Sequence, residues 1–177
     1  LPIKKLSSKY IERVSFPVNI VNQNSFKFKK YKFWAIQEFN KYLKLNLNKS
    51  MLDTLYEINP MCKEGIISSL TNRYRSSFYE EVDVKVLKKY AISWLITYKY
   101  ILDKYKSNYK FHIWNGRYYK MTAIRAAAEE NNIECNFFEL SNSLKAFMHL
   151  DYSPHDRDKR SNAWRNYLKN ANNQLLK

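Results

Sequence analysis

Apolar residues recur at intervals of three and four through most of the first 106 residues, and this spacing predicts helices. In "SFKFKKYKFWAIQEFNKYLKLN" (25–46) the stripe is Phe33, Ile36, Phe39, Tyr42 and Leu43, with lysines on the other face and Ser25 in a capping position. "SMLDTLYEI" (50–58) reads as a short helix that stops near Pro60, since the residue before a proline avoids helical backbone. Pro60 then suits the first turn of a further helix over 60–81. The clearest stripe lies in "VDVKVLKKYAISWLITYKYILDKYK" (82–106), at Val84, Leu87, Ala91, Trp94, Leu95, Tyr98 and Ile101.

The period changes at residue 109. "YKFHIW" (109–114) is short, aromatic and β-branched and reads as a strand. "YYKMTAIRAAAEENN" (118–132) is an alanine-rich helix, and "IECNFFEL" (133–140) a second strand. Strand, turn, helix and strand in this order predict a βαβ unit, with two neighbouring parallel strands and a right-handed crossover. "SLKAFMHL" (143–150) leads into a polar loop, "DYSPHDRDKR" (151–160), and a last helix spans 161–177. The expected fold class is α/β: a helix-rich, Rossmann-like domain with a small parallel sheet at about 109–140. The expected organisation is a single domain over 1–177, mainly helical to 106, βαβ plus loop over 107–160, and a C-terminal helix.

Composition narrows the class. Hydrophobic residues make up 45% of the 177 positions and aromatics 16%, which argues against disorder. No apolar run approaches the ~18 residues a membrane span needs, and no secretory leader is visible. Cys62 and Cys135 sit apart in apolar surroundings, so the expectation is two reduced, buried thiols in a cytoplasmic protein. With three scattered histidines they show no metal-ligand spacing, and no cofactor is expected. The chain opens on Leu1-Pro2-Ile3 and closes inside a helical pattern, which suggests a piece of a longer polypeptide.

The net charge of +15 is uneven: residues 1–50 carry eleven Lys/Arg against two Glu. A basic N-terminal third fits an anionic neighbour such as nucleic acid, an acidic membrane surface or phosphorylated ligands, and equally a solvated basic face.

Only two glycines occur, where average usage of roughly 7% would supply about a dozen. One is Gly116, in "HIWNGRYYK" (112–120), where the first strand becomes helix. Ligands of open parallel sheets bind beyond the carboxyl ends of strands. A glycine there tolerates positive φ and close approach, the next helix offers free N–H groups, and Arg117 adds a forked donor for carboxylate or phosphate. Glu139 ends the second strand, so adjacent strands would bring Glu139 and Arg117 to one edge. The pair reads either as a site carboxylate beside a cation or as an ion pair pinning two loops.

A strand ending in W/F-N-G-R, an alanine-rich helix, N-N-I and a strand ending in Glu resembles bacterial capsule and surface-polysaccharide glycosyltransferases of the two-Rossmann-domain type, GT-B. Here "HIWNGRYYKMTAIRAAAEENNIECNFFE" carries the pattern and "SPHDRDKR" the histidine that often follows, over roughly residues 84–160. The resemblance implies sugar transfer from a nucleotide-activated donor to a glycan or lipid-linked acceptor. It implies a cytoplasmic protein, peripheral at the inner membrane face. Asn115, Gly116 and Arg117 carry over as substrate-binding residues and Glu139 and His155 as catalytic ones; Tyr118, at the helix start beside them, joins the expected substrate-binding set. A chain of this length holds one such half, so the resemblance implies either the N-terminal, acceptor-side half of a longer enzyme, inactive alone and with the nucleotide half beyond Lys177, or a stand-alone relative without transferase activity.

Other signals compete. Asp156-Arg157-Asp158 matches the D-x-D metal signature of the other large glycosyltransferase fold, but in a loop flanked by basic residues. His112 reads as a core or sheet-face residue. Tyr118 and Tyr119 suit packing or stacking on a sugar or base, and Trp34, Trp94 and Trp164 read as core. The rival functions are single-stranded nucleic-acid binding through "FKFKKYKFW" and a non-catalytic interaction module.

Overall fold

The computed structural model describes residues 26–74, 82–140 and 147–175. Four helices come first: α1 (Phe26–Leu45), α2 (Met51–Ile58), α3 (Pro60–Tyr74) and α4 (Val84–Lys104). They are followed by β1 (Lys110–Trp114), α5 (Tyr119–Glu130), β2 (Glu134–Leu140), β3 (Phe147–Leu150) and α6 (Arg157–Leu175). The chain is a helix-rich α/β protein. Ser25 and residues 75–81, part of the predicted α1 cap and α3 span, lie outside the described residues.

Local chemistry fixes the helix ends. Ser50 Oγ accepts the Asp53 N–H at 3.2 Å, Asn59 Oδ1 the Met61 N–H at 2.8 Å, and Asp83 Oδ1 the Lys85 N–H at 2.8 Å. Each satisfies a donor that the first helical turn leaves orphaned. At the end of α5, Asn132 takes φ 55 while the Ile133 N–H reaches Ala128 O at 2.8 Å and the Asn132 N–H reaches Glu129 O at 3.2 Å. This is the six-to-one and five-to-two closure that turns a helix sharply into a strand.

β1 and β2 are parallel neighbours, with Phe111 opposite Cys135 and Ile113 opposite Phe137. β3 adds to the far side of β2, antiparallel, with Phe137 opposite Leu150. The three-stranded sheet is therefore mixed, not purely parallel. Residues 141–146 are too short a link for a parallel crossover, which takes a dozen residues or more, but suffice for an antiparallel return. The loop expected to run to residue 160 also ends early, because α6 starts at Arg157.

Two hydrophobic clusters share α4 and α5. Ala35, Phe39, Leu55, Ile66, Leu70, Leu87, Trp94 and Leu95 join the helices in one. Ile101, Tyr105, Phe111, Ile113, Ile124, Ala127 and Phe137 join the sheet to α4 and α5 in the other. Small alanines on α5 let it lie close to both, and Trp94 Nε1 donates to Thr122 Oγ1 at 3.1 Å across the α4–α5 contact. Three apolar positions expected inside are not: Phe33, Val84 and Trp164 are exposed. On α1 the buried face runs through Ala35 and Phe39, which leaves Phe33 outside it. Among the described residues no helix is long and apolar enough to cross a membrane.

Candidate functional site

The carboxyl edge of β1 and β2 is where the predicted residues meet. The Asn115 N–H donates to Phe138 O at 2.8 Å, and the Gly116 N–H folds back to Trp114 O at 2.6 Å. The second bond closes a three-residue turn around Asn115, whose φ is 61; Gly116 follows at φ 77. Two successive positive-φ residues are uncommon, and the first is not a glycine. A Cβ on Gly116 would sit 2.8 and 2.9 Å from the Phe137 ring and 3.2 Å from Ser153 Oγ. The glycine is thus required by both backbone conformation and space. From α5, Arg125 Nη1 donates to Gly116 O at 3.2 Å and holds the turn from the other side.

The start of α5 is held from α3. Tyr118 caps the helix without a side-chain bond, and Ser69 Oγ accepts the Tyr119 N–H at 3.0 Å instead. The close approach this needs explains the second glycine. A Cβ on Gly65 would lie 2.0 Å from Thr122 Oγ1 and 2.8 Å from the Tyr119 Cα.

Across the edge, Asn115 Nδ2 donates to Glu139 Oε2 at 2.6 Å, and His155 Nε2 stands 3.6 Å from the same oxygen. The second distance is too long for a hydrogen bond and within ion-pair range only for a protonated imidazole. The His155 side chain is 36% exposed; its partial burial, the neighbouring Arg117 and Arg160 push its pKa below the ordinary value, against the opposing pull of Glu139. The setting thus favours the neutral imidazole, facing the Glu139 side chain. Arg117 Nη2 donates to the Tyr118 hydroxyl at 3.0 Å, and its guanidinium lies 5.0 Å from that ring's centre.

One expectation is corrected. Arg117 and Glu139 form no ion pair; Glu139 takes Asn115 and His155 as partners, while Arg117 turns to Tyr118. Both still flank His155, so Asn115, Gly116, Arg117, Tyr118, Glu139 and His155 share one edge of the sheet. Asn115 Oδ1 and Arg117 Nε are buried there without a hydrogen-bond partner among the described residues. Sequence reasoning missed Ser153, buried beneath the turn, and Arg125. Both fall inside the segments quoted for the resemblance, but at positions that its pattern does not specify. The position of Ser153 follows from the return of β3, which the sequence did not reveal.

The remaining candidates separate from this edge. Asp156 Oδ1 accepts the Lys159 N–H at 3.0 Å and so caps α6, while Asp158 is exposed in its first turn. The D-x-D match is a helix start, and no metal-binding cluster of His, Cys, Asp and Glu occurs among the described residues. His112 is exposed on the sheet face opposite the helices, tilted against Phe138 at 5.5 Å. Tyr119 packs edge-on against Tyr90 at 4.8 Å. Both cysteines are free: burial pushes the Cys62 thiol far up and that of Cys135 up to about 11, so neither is a thiolate at neutral pH.

Comparison with known proteins yields no match: no family model, curated protein or solved structure is similar to this chain.

Proposed function

We propose that this chain is the Rossmann-like, acceptor-side half of a glycosyltransferase for bacterial capsular or surface polysaccharide, working in the cytoplasm on a glycan or lipid-linked acceptor. The observation that carries the reading is His155 Nε2 standing 3.6 Å from Glu139 Oε2 at the carboxyl edge of two parallel strands, in surroundings that favour the neutral imidazole. A neutral imidazole is a ready proton acceptor at physiological pH. In sugar transfer the acceptor oxygen bonds to the anomeric carbon of the donor, the bond from that carbon to the phosphate oxygen breaks, and the nucleoside diphosphate departs with the electron pair. The hydroxyl proton passes to His155. Glu139 stabilises the imidazolium that forms, and Asn115 holds Glu139 in place. Arg117 and the amino end of α5 face the negative charge that develops.

Asn115 Oδ1 and Arg117 Nε, unpartnered among the described residues, support a site at this edge. Leaving a buried polar atom unpaired costs about 1–3 kcal/mol, and such costs concentrate where a ligand is met. The test is transfer of labelled sugar from a panel of nucleotide-activated donors by the full-length protein. Replacement of His155 by Ala is expected to lower kcat by at least about 100-fold, the usual weight of a positioned base. Undiminished kcat would refute the role.

A second reading rests on α1, whose outer face exposes Lys29, Lys30, Lys32, Lys41 and Lys44 beside Phe33. That face fits single-stranded nucleic acid, as phosphate contacts plus a stacking ring. Salt-dependent binding of an RNA oligonucleotide, weakened by Phe33→Ala, would favour it over transfer.

A further inference from the structure

We infer that Gly116 and Ser153 are positioning residues that set where His155 stands against Glu139, so that the conformation of the β1–α5 turn controls the reactive pair. The inference rests on the reading of His155 and Glu139 as that pair, and it assigns roles to two residues that touch no reacting atom.

The chain of contacts is short. Ser153 is 3% exposed and lies under the turn, on the segment that joins β3 to α6. Its hydroxyl accepts the His155 N–H at 3.4 Å, and its carbonyl accepts the Asp156 N–H at 2.9 Å. The Ser153–Asp156 turn is thereby closed, with Pro154 buried and His155 carried at its apex. Asp156 then caps α6. Gly116 forms the other wall: the direction a Cβ would take from it runs into Phe137 and Ser153 Oγ.

These two neighbours differ in how far they can yield. Phe137 is in the sheet cluster, opposite Ile113 on β1 and Leu150 on β3, and is nearly fully buried. Close-packed interiors resist such displacement. Ser153 sits on a connecting segment, so a Cβ at position 116 that drives the turn off Phe137 also presses on Ser153 Oγ, 3.2 Å away, which can yield, and His155 moves with it. The charged groups around His155 are Glu139 from β2, Arg117 from the β1–α5 turn and Arg160 from α6. Moving the imidazole out of this setting removes its burial and the two arginines, the effects that favour its neutral form.

The experiment is an NMR titration of the His155 imidazole in the wild-type chain, Ser153→Ala and Gly116→Ala. Ser153→Ala removes the acceptor of the His155 N–H with little change of volume. The expected result is a His155 midpoint that rises from its depressed value toward the ~6.5 of a free imidazole, with His112 unchanged as an internal control. Gly116→Ala is expected to act in the same direction wherever it folds. A folded Ser153→Ala protein whose His155 midpoint stays at the wild-type value overturns the inference. Loss of cooperative unfolding in Ser153→Ala overturns it as well, since Ser153 would then serve the fold at large. The titration needs no sugar transfer, so its outcome is separate from the fate of the transferase reading.

Discussion

At the residue scale the β1–α5 turn concentrates the constraints. Asn115 occupies a left-handed conformation that asparagine tolerates better than most residues; its side chain bonds across the sheet edge to Glu139. Gly116→Ala meets both a positive φ and a Cβ contact under 3.0 Å. We predict a loss of stability of at least about 1 kcal/mol, read as a lower urea midpoint with an unchanged slope. His155 supplies a pH dependence of known sign. Its folded pKa lies below the unfolded value of about 6.5. The stabilisation it contributes is thus complete above that value and is lost as pH falls through it toward the folded pKa. Between pH 7.5 and 5.5 the wild-type midpoint should fall further than that of His155→Gln; an equal fall would contradict a folded-state His155 pKa below the ordinary value. Gly116 stood out in the sequence because glycine is so scarce. The partner of Glu139 did not, because a fork-shaped cation and a small amide can occupy the same edge and only the turn's φ angles decide which faces the carboxylate.

At the element scale the helical periods and the break at residue 109 identified α1 to α5 and both parallel strands. Two elements were less legible. β3 is four residues long, too short for alternation to show, and it is defined by its pairing with β2. α6 begins where the sequence reads as charged loop, because Asp156 serves as its cap. The tryptophans mark the contrast between pattern and packing. Trp94 is buried between α4 and α5 with its N–H on Thr122, whereas Trp164 stacks on Tyr167 and is 60% exposed. A helical stripe shows which residues share a face, and only tertiary contact shows whether that face is covered. Thr122→Val should strand the Trp94 N–H and destabilise the chain by about 1–3 kcal/mol. Trp164→Ala, at a surface site, should stay within about 0.5 kcal/mol. Thermal unfolding of the two variants side by side checks the difference, and a larger loss for Trp164→Ala would mean that α6 is packed after all.

At the scale of the whole molecule, the helices of the first cluster place α5, and α5 places the turn. Ser69 on α3 receives the first N–H of α5, Gly65 opens the space for Thr122, and Asn131 at the other end of α5 donates to Leu102 O at 2.8 Å and Tyr105 O at 2.6 Å. The sheet edge is thus referred to the helical body at both ends of one helix. This explains how six residues spread over 41 positions, Asn115 to His155, come to one place. The chain order of β1, α5 and β2 made most of that convergence readable, since parallel neighbours must end on the same side. The arrival of His155 depended on β3 and was supported beforehand only by resemblance.

The central claim is that Glu139 at this edge does chemistry and does not merely hold the turn. Its most direct test sets Glu139→Gln beside Glu134→Gln, an exposed carboxylate on the same strand that pairs with Lys110 at 2.5 Å. Sugar-transfer kcat and unfolding midpoint are measured for both in the full-length protein. Glu139→Gln is expected to lower kcat by about 100-fold or more while its folded fraction stays near wild type, and Glu134→Gln to leave kcat unchanged. Equal kcat in the two variants, or a loss in Glu139→Gln that follows its unfolding, would contradict it.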